Sequence, residues 1–176
     1  MGGGAGAFSD RDGMDAIHVH TVNSTNLPAE ALELEYPLLL EEYCLVPDSG
    51  GAGRHRGGMG MARQIRIRED NTTFSARSDA HIIPAPGVAG GKSSNVTRIM
   101  RNPSADNAEI LHSKASGLTL AAGEIIRVET LGGGGFGDPS ERALSAIAQD
   151  LREEKISLAA AERDYGAERV AAALAS

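Results

Sequence analysis

Two imidazoles alternate in Ile17-His18-Val19-His20-Thr21-Val22, so on an extended strand His18 and His20 project from one face, at a spacing that suits a metal ion. The pair alone leaves a metal site short of ligands, and an ordinary polar strand face has the same pattern. Asn23 and Asn26 follow in a turn-forming run, where their amides either fix a polar ligand or close the loop. A second stretch, Pro47-Asp48-Ser49-Gly50-Gly51-Ala52-Gly53-Arg54-His55-Arg56-Gly57-Gly58-Met59-Gly60, has two readings. In one, glycine N–H groups converge as an anion nest, and Arg54 and Arg56 add bidentate recognition of a carboxylate or phosphate. In the other, it is a tightly folded connection in which Asp48 makes a turn and pairs with an arginine. A third stretch, Gly132-Gly133-Gly134-Gly135-Phe136-Gly137-Asp138-Pro139, lacks the Lys-Ser/Thr ending of a nucleotide loop. A dinucleotide fingerprint can be laid on Gly132, Gly134 and Gly137, but no strand follows to complete the βαβ unit, which favours close backbone packing. Cys44 sits among apolar residues and is expected to be a buried, unreactive thiol. No Ser/His/Asp set or glutamate pair stands out by spacing.

The elements that must position these residues fall into two regions. From about Ile17 to Thr130 the apolar runs are short and bounded by Gly, Pro, Asn, Asp or Ser, as in strands joined by turns. The expected strands are Ile17–Val22, Pro37–Val46, Ala62–Arg68, Thr72–Ala76, Val96–Met100 and Glu124–Thr130. Alternation in Arg63-Gln64-Ile65-Arg66-Ile67-Arg68 puts the two isoleucines on one face and the arginines on the other. The adjacent β-branched pair Ile125-Ile126 suggests burial on both faces at that end. After Asp138-Pro139-Ser140 the composition turns to Ala, Leu, Glu and Arg at helical spacing, with Ser140 as an expected N-cap. A second helix is expected from Ser157 to about Tyr165, ended by Gly166, and a third over Glu168–Ala175. The predicted fold class is α+β: a β-rich body of short, largely antiparallel strands over residues 1–139, with a small helical appendage over residues 140–176.

Composition narrows the function classes. The chain has 176 residues and a net charge of −7, which argues against nucleic acid or anionic lipid as the main partner. Three Phe, three Tyr and no Trp leave few platforms for stacking bases. The single cysteine fits a reducing compartment, and no apolar run approaches a membrane span, so a soluble cytoplasmic protein is expected. The 22 glycines are clumped without a three-residue period, which excludes collagen.

The glycine motifs and the residues joining them resemble the C-terminal part of the hydantoinase B/oxoprolinase family. The matching series is Gly2-Gly3-Gly4, Asp12-Gly13-x-Asp15, His20-x-x-Asn23-x-x-Asn26-x-Pro28-x-Glu30-Ala31-Leu32-Glu33, Glu35-Tyr36-Pro37, the stretch from Pro47 to Gly60, Gly132 to Arg142, and Ala160-Ala161-x-x-Asp164-Tyr165-Gly166. The resemblance implies a large-subunit domain of enzymes that couple ATP use to opening cyclic amides such as hydantoins or 5-oxoproline; related members carboxylate ketones. It further implies that ATP and its divalent cation are bound by a hydantoinase A-type partner. The catalytic metal would belong to an N-terminal B-type region that this chain does not carry, so this chain alone is expected to be inactive. In those terms His20 and Asn23 are the candidate catalytic residues, positioning substrate or water. Asp48, Ser49, Arg54 and Arg56 are the candidate substrate- or anion-binding residues, and no metal ligand is assigned within the chain. The other reading is a non-catalytic β-scaffold whose motifs serve folding and assembly.

Overall fold

A computed structural model describes residues 1–17 and 27–175. Five strands form one antiparallel sheet in the order β1 (Leu38–Leu45), β2 (Met61–Ile67), β7 (Ile125–Glu129), β4 (Arg98–Arg101) and β5 (Glu109–Ile110). A separate antiparallel ribbon pairs β3 (Thr72–Arg77) with β6 (Lys114–Leu120). The predicted strands from Pro37 onward are all present within a few residues of their expected bounds, while the expected Ile17–Val22 strand falls mostly outside the described residues. Strands β5 and β6 escape the sequence pattern because one is only two residues long and the other is interrupted by Gly117 at φ +66°.

The ribbon covers one face of the sheet. Ile67, Ile99 and Ile126 from the sheet are buried with Leu111 and with Leu120 of the ribbon, and Phe74 and Leu118 pack against them. Ile126 is buried and Ile125 only half-buried, so that end of β7 is partly covered on both faces. Arg63 departs from the expected separation of arginines and isoleucines. It shares the parity of Ile65 and Ile67 and is accommodated beneath the Tyr43 ring, 4.9 Å from its centre. Cys44 is exposed, contrary to expectation, because β1 is the sheet's edge strand and its second half lies open.

Four helices complete the described chain: α1 (Ala29–Glu35) ahead of β1, and α2 (Leu144–Arg152), α3 (Leu158–Tyr165) and α4 (Ala167–Leu174) at the C-terminal end. The expected N-cap at Ser140 is replaced by Asp138, whose Oδ1 accepts from the Ser140 amide at 2.8 Å and so opens a 3-10 turn over Pro139–Glu141. Pro139 then occupies the first position of that turn, where its missing N–H costs nothing, and α2 begins only after Ala143. Ser157 caps α3 as expected, its hydroxyl accepting from the Ala160 amide at 3.1 Å, and Gly166 at φ +89° separates α3 from α4. Ile147, Ile156, Ala161, Tyr165, Val170 and Ala173 form a second core that reaches into the body at Ala52. No helix among the described residues is long and apolar enough to cross a membrane.

One carboxylate contributes to the acid limb of stability through a dense set of donors. Glu124 takes two 2.7 Å bonds from Arg101 and further donors from Asn102 and the Ala121 amide; these hold its pKa down from 4.5 to about 2, despite burial pushing the other way. A depressed carboxylate pKa contributes stability that is complete above the unfolded-state value and is lost as pH falls through the folded one. Urea midpoints should therefore drop between pH 4.5 and 2, and Glu124→Gln should flatten that part of the profile while lowering the neutral-pH plateau.

Candidate functional site

Segments at residues 3–7, 49–60, 86–92 and 132–137 lie side by side and exchange backbone hydrogen bonds. Gly58 donates to the Ala5 carbonyl, Gly133 to Gly58, Gly51 to Gly133, Gly57 to Gly51 and Gly135 to Lys92, all at 2.8–3.0 Å. A Cβ on Gly133 would lie 1.8 Å from the Ala5 oxygen, and one on Gly57 would lie 1.9 Å from the Gly133 oxygen. These glycines are needed because backbone passes directly over backbone. The N–H groups of Gly51, Gly57, Gly58, Gly133 and Gly135 are consumed by neighbouring carbonyls, so of the two readings of the Pro47–Gly60 stretch, tight folding describes Gly51, Gly57 and Gly58.

The predicted site residues attach to this frame in different ways. Asp48, at φ +60°, accepts the Ser157 amide on Oδ1 at 2.7 Å and donates its own amide to the Lys155 carbonyl at 3.0 Å. It thus tethers the link between α2 and α3 and pairs with neither arginine. Ser49 is fully buried; its hydroxyl donates to the Val46 carbonyl at 2.6 Å and accepts from the Gly60 amide at 2.9 Å. Arg54 is exposed, reaching the Ser9 carbonyl at 3.2 Å and Glu141 at 3.5 Å. Arg56 is 3% exposed, with Asp150 at 3.4 Å, Asp15 at 3.3 Å and the Gly57 carbonyl at 2.6 Å. His20 and Asn23 lie outside the described residues. The chain entering their segment is fixed to the frame: the Ala16 amide donates to the Met59 carbonyl at 2.7 Å and the Ile17 amide to Gly3 at 2.9 Å.

The structure brings together a charged cluster that spacing alone does not reveal. Arg142, with a side chain 1% exposed, donates to Asp12 at 2.7 and 2.9 Å and to Asp150 at 2.6 Å. Asp12 also accepts the Arg56 amide at 2.7 Å, while Asp15 accepts the Met59 amide at 2.8 Å and pairs with Lys155 at 3.2 Å. Three carboxylates thus face three cations. Burial raises the Asp12 and Asp15 pKa values, but the surrounding donors and cations more than reverse this and hold both below the usual carboxylate range. The signal was present only as Asp12-Gly13-x-Asp15 and Glu141-Arg142 in the resemblance; sequence separation of about 130 residues hides the pairing itself. No group of three or more His, Cys, Asp or Glu that could hold a metal occurs among the described residues.

Beside this cluster a cleft of about 340 Å³ opens between the frame and the C-terminal helices, lined in part by Asp48, Lys92, Asn95, Arg163, Asp164 and Tyr165. Tyr165 is 5% exposed, and burial pushes its hydroxyl pKa up to about 12, so it stays protonated.

The family model for hydantoinase B/oxoprolinase matches residues 1–139. The chain belongs to the hydantoinase B/oxoprolinase family. It is 39% identical over 167 residues to an uncharacterized protein of Methanocaldococcus jannaschii, covering 94% of this chain and 29% of that one. It is 33% identical over 141 residues to the caprolactamase subunit beta of Pseudomonas jessenii, covering 78% and 24%. With 5-oxoprolinase 1 of Arabidopsis thaliana it shares 32% identity over 137 residues, covering 78% and 11%. Among solved structures, the ATP-dependent caprolactamase of Pseudomonas jessenii superposes with a TM-score of 0.73 at 27% identity, over 93% of this chain and 29% of that chain. A nucleotide-free acetone carboxylase shares the fold with a TM-score of 0.77 at 22% identity, over 98% and 29%. This hydantoinase B/oxoprolinase member thus spans between 11% and 29% of the length of these relatives.

Proposed function

We propose that this chain contributes to an ATP-dependent hydrolase of cyclic amides, as a segment or small subunit of the hydantoinase B type. In this reading it works in the cytoplasm with the remainder of a B-type subunit and a hydantoinase A-type partner that binds ATP and its divalent cation, and it is inactive alone. The observation that carries the reading is the family match over residues 1–139, joined to likeness in sequence and fold to an ATP-dependent caprolactamase. Leaving the nucleotide to that partner draws support from the frame, where the amides of Gly51, Gly57, Gly58, Gly133 and Gly135 are engaged by carbonyls and Arg56 by carboxylates. The carboxylation of ketones is the less supported chemistry, because the acetone carboxylase likeness is one of fold.

Opening an activated amide needs a placed water and a counter-charge for the departing anion. Arg54 is the candidate cation that solvent and ligand can reach, and His20 and Asn23 are the candidates for holding water or substrate. Asp48, Ser49 and Arg56 support the site by holding the frame. A second reading, a non-catalytic assembly scaffold, draws support from the same engaged glycine amides. The two separate in the purified complex. Arg54→Ala and His20→Ala should each lower amide-dependent ATP turnover by about 100-fold while the complex elutes unchanged. Full turnover in both variants would leave the scaffold reading.

A further inference from the structure

The cleft between the frame and the C-terminal helices has a lining that the proposed reaction does not use. Its side chains carry both charges in equal number, with Lys92 and Arg163 against Asp48 and Asp164. Asp164 receives both cations, Lys92 at 2.9 Å and Arg163 at 2.8 Å, and the two cations are themselves well exposed, so each keeps donors open to a ligand. Asp48 gives one oxygen to the Ser157 amide at 2.7 Å and retains the other. Asn95 accepts the Gly132 amide on its oxygen at 2.9 Å, and its NH₂ group has no partner among the described residues. Tyr165 adds a further polar group to the lining. It is 95% buried by its 5% exposure and lines the cleft, and its hydroxyl makes no hydrogen bond among the described residues. The hydroxyl oxygen itself keeps contact with solvent, so a ligand atom that bonds to it takes the place of a water.

We propose that this cleft binds a small zwitterion of the amino-acid class, its carboxylate received by Lys92, Arg163 and the Asn95 amide and its ammonium by Asp48, with the Tyr165 hydroxyl bonding the ligand. The volume, about 340 Å³, is at the small end of ligand pockets, and the balanced lining gives no net attraction to a polyanion such as a nucleotide. An apolar ligand would strand the polar lining. The class also has a source. Hydrolysis adds water across the C–N bond of a cyclic amide: the C–N bond breaks, the carbon takes the water's oxygen to become a carboxylate, and the nitrogen takes both of its protons to become an ammonium. The link to the reaction product rests on the function proposed above; the binding itself does not.

The test is calorimetry on the full protein without ATP, using 6-aminohexanoate, with hexanoate and hexylamine as singly charged controls. The zwitterion should bind about 10-fold or more tightly than either control, a gap of one lost charge-assisted contact. Tyr165→Phe, which keeps the ring and the packing, should weaken it about 5-fold, and Lys92→Ala at least as much. No heat with the zwitterion, equal affinity for the controls, or unchanged affinity in both variants would overturn the site. Because ATP is absent, binding here without ATP-dependent amide turnover by the assembled complex in a separate assay would sink the proposed function and keep the site; turnover by the complex without binding here would do the reverse.

Discussion

A single methyl group at Gly133 should unfold this protein. The added carbon of Gly133→Ala would lie 1.8 Å from the Ala5 oxygen, 2.2 Å from its carbonyl carbon and 2.7 Å from the Gly6 nitrogen. All three are backbone atoms, so no rotamer change relieves the overlap. The Gly133 segment also donates to Gly58 and accepts from Gly51, so moving it away breaks the bonds on both sides. Overpacking ordinarily costs about 1–3 kcal/mol, but here several buried backbone bonds go with it, and the loss should reach about 5 kcal/mol, comparable to the whole stability of many domains. Gly6→Ala is the matched control: its new carbon would find only the Gly134 oxygen, at 3.9 Å, which is ordinary contact. Urea unfolding should show a near-normal midpoint for the Gly6 variant and no cooperative transition for the Gly133 variant. Equal midpoints would mean that the segments do not pass as closely as described.

Removing Arg142 should cost about 3–5 kcal/mol, since a buried ion pair broken on one side leaves its partner uncompensated. Asp150 is 4% exposed and loses its 2.6 Å partner, leaving Arg56 at 3.4 Å as the remaining cation. Asp12 simultaneously loses both of its guanidinium bonds. Arg142→Met keeps much of the volume, so the loss it shows in urea midpoint is chiefly electrostatic. The pH dependence gives the sign. Asp12 is held below its ordinary pKa largely by Arg142, so its contribution exists above the unfolded-state value and fades as pH falls through the folded one. The variant should therefore differ from the parent most at neutral pH and converge with it in acid. We infer from the same contacts that the helices after residue 139 and the β-rich body unfold as one unit, since Arg142 and Asp150 belong to the former and Asp12 and Arg56 to the latter.

The sheet was legible where residues alternate or run apolar: β2, β3 and β7 were readable within two residues at either end because each sends apolar side chains into the core. Helix α3 was legible through its serine cap and its terminal glycine. Helix α1 was not, because its seven residues bury nothing and so leave no apolar stripe. For the candidate site, the sequence showed which residues carry charge but not which are spent. Arg54 and Arg56 are two positions apart and look interchangeable, yet one is open to solvent and the other is enclosed by Asp15 and Asp150. That difference is made by carboxylates 41 and 94 residues away, beyond the reach of local spacing.

The glycine frame has a kinetic corollary. Its strips come from the first residues of the chain, from the middle and from beyond residue 130, and each strip's bonds are completed by another. Glycine-rich stretches gain nothing from side-chain burial before they meet, and each loop between them must close against its own entropy. Folding should therefore be slow and late, with the amino-terminal strip waiting on the ribosome until the last glycines have emerged.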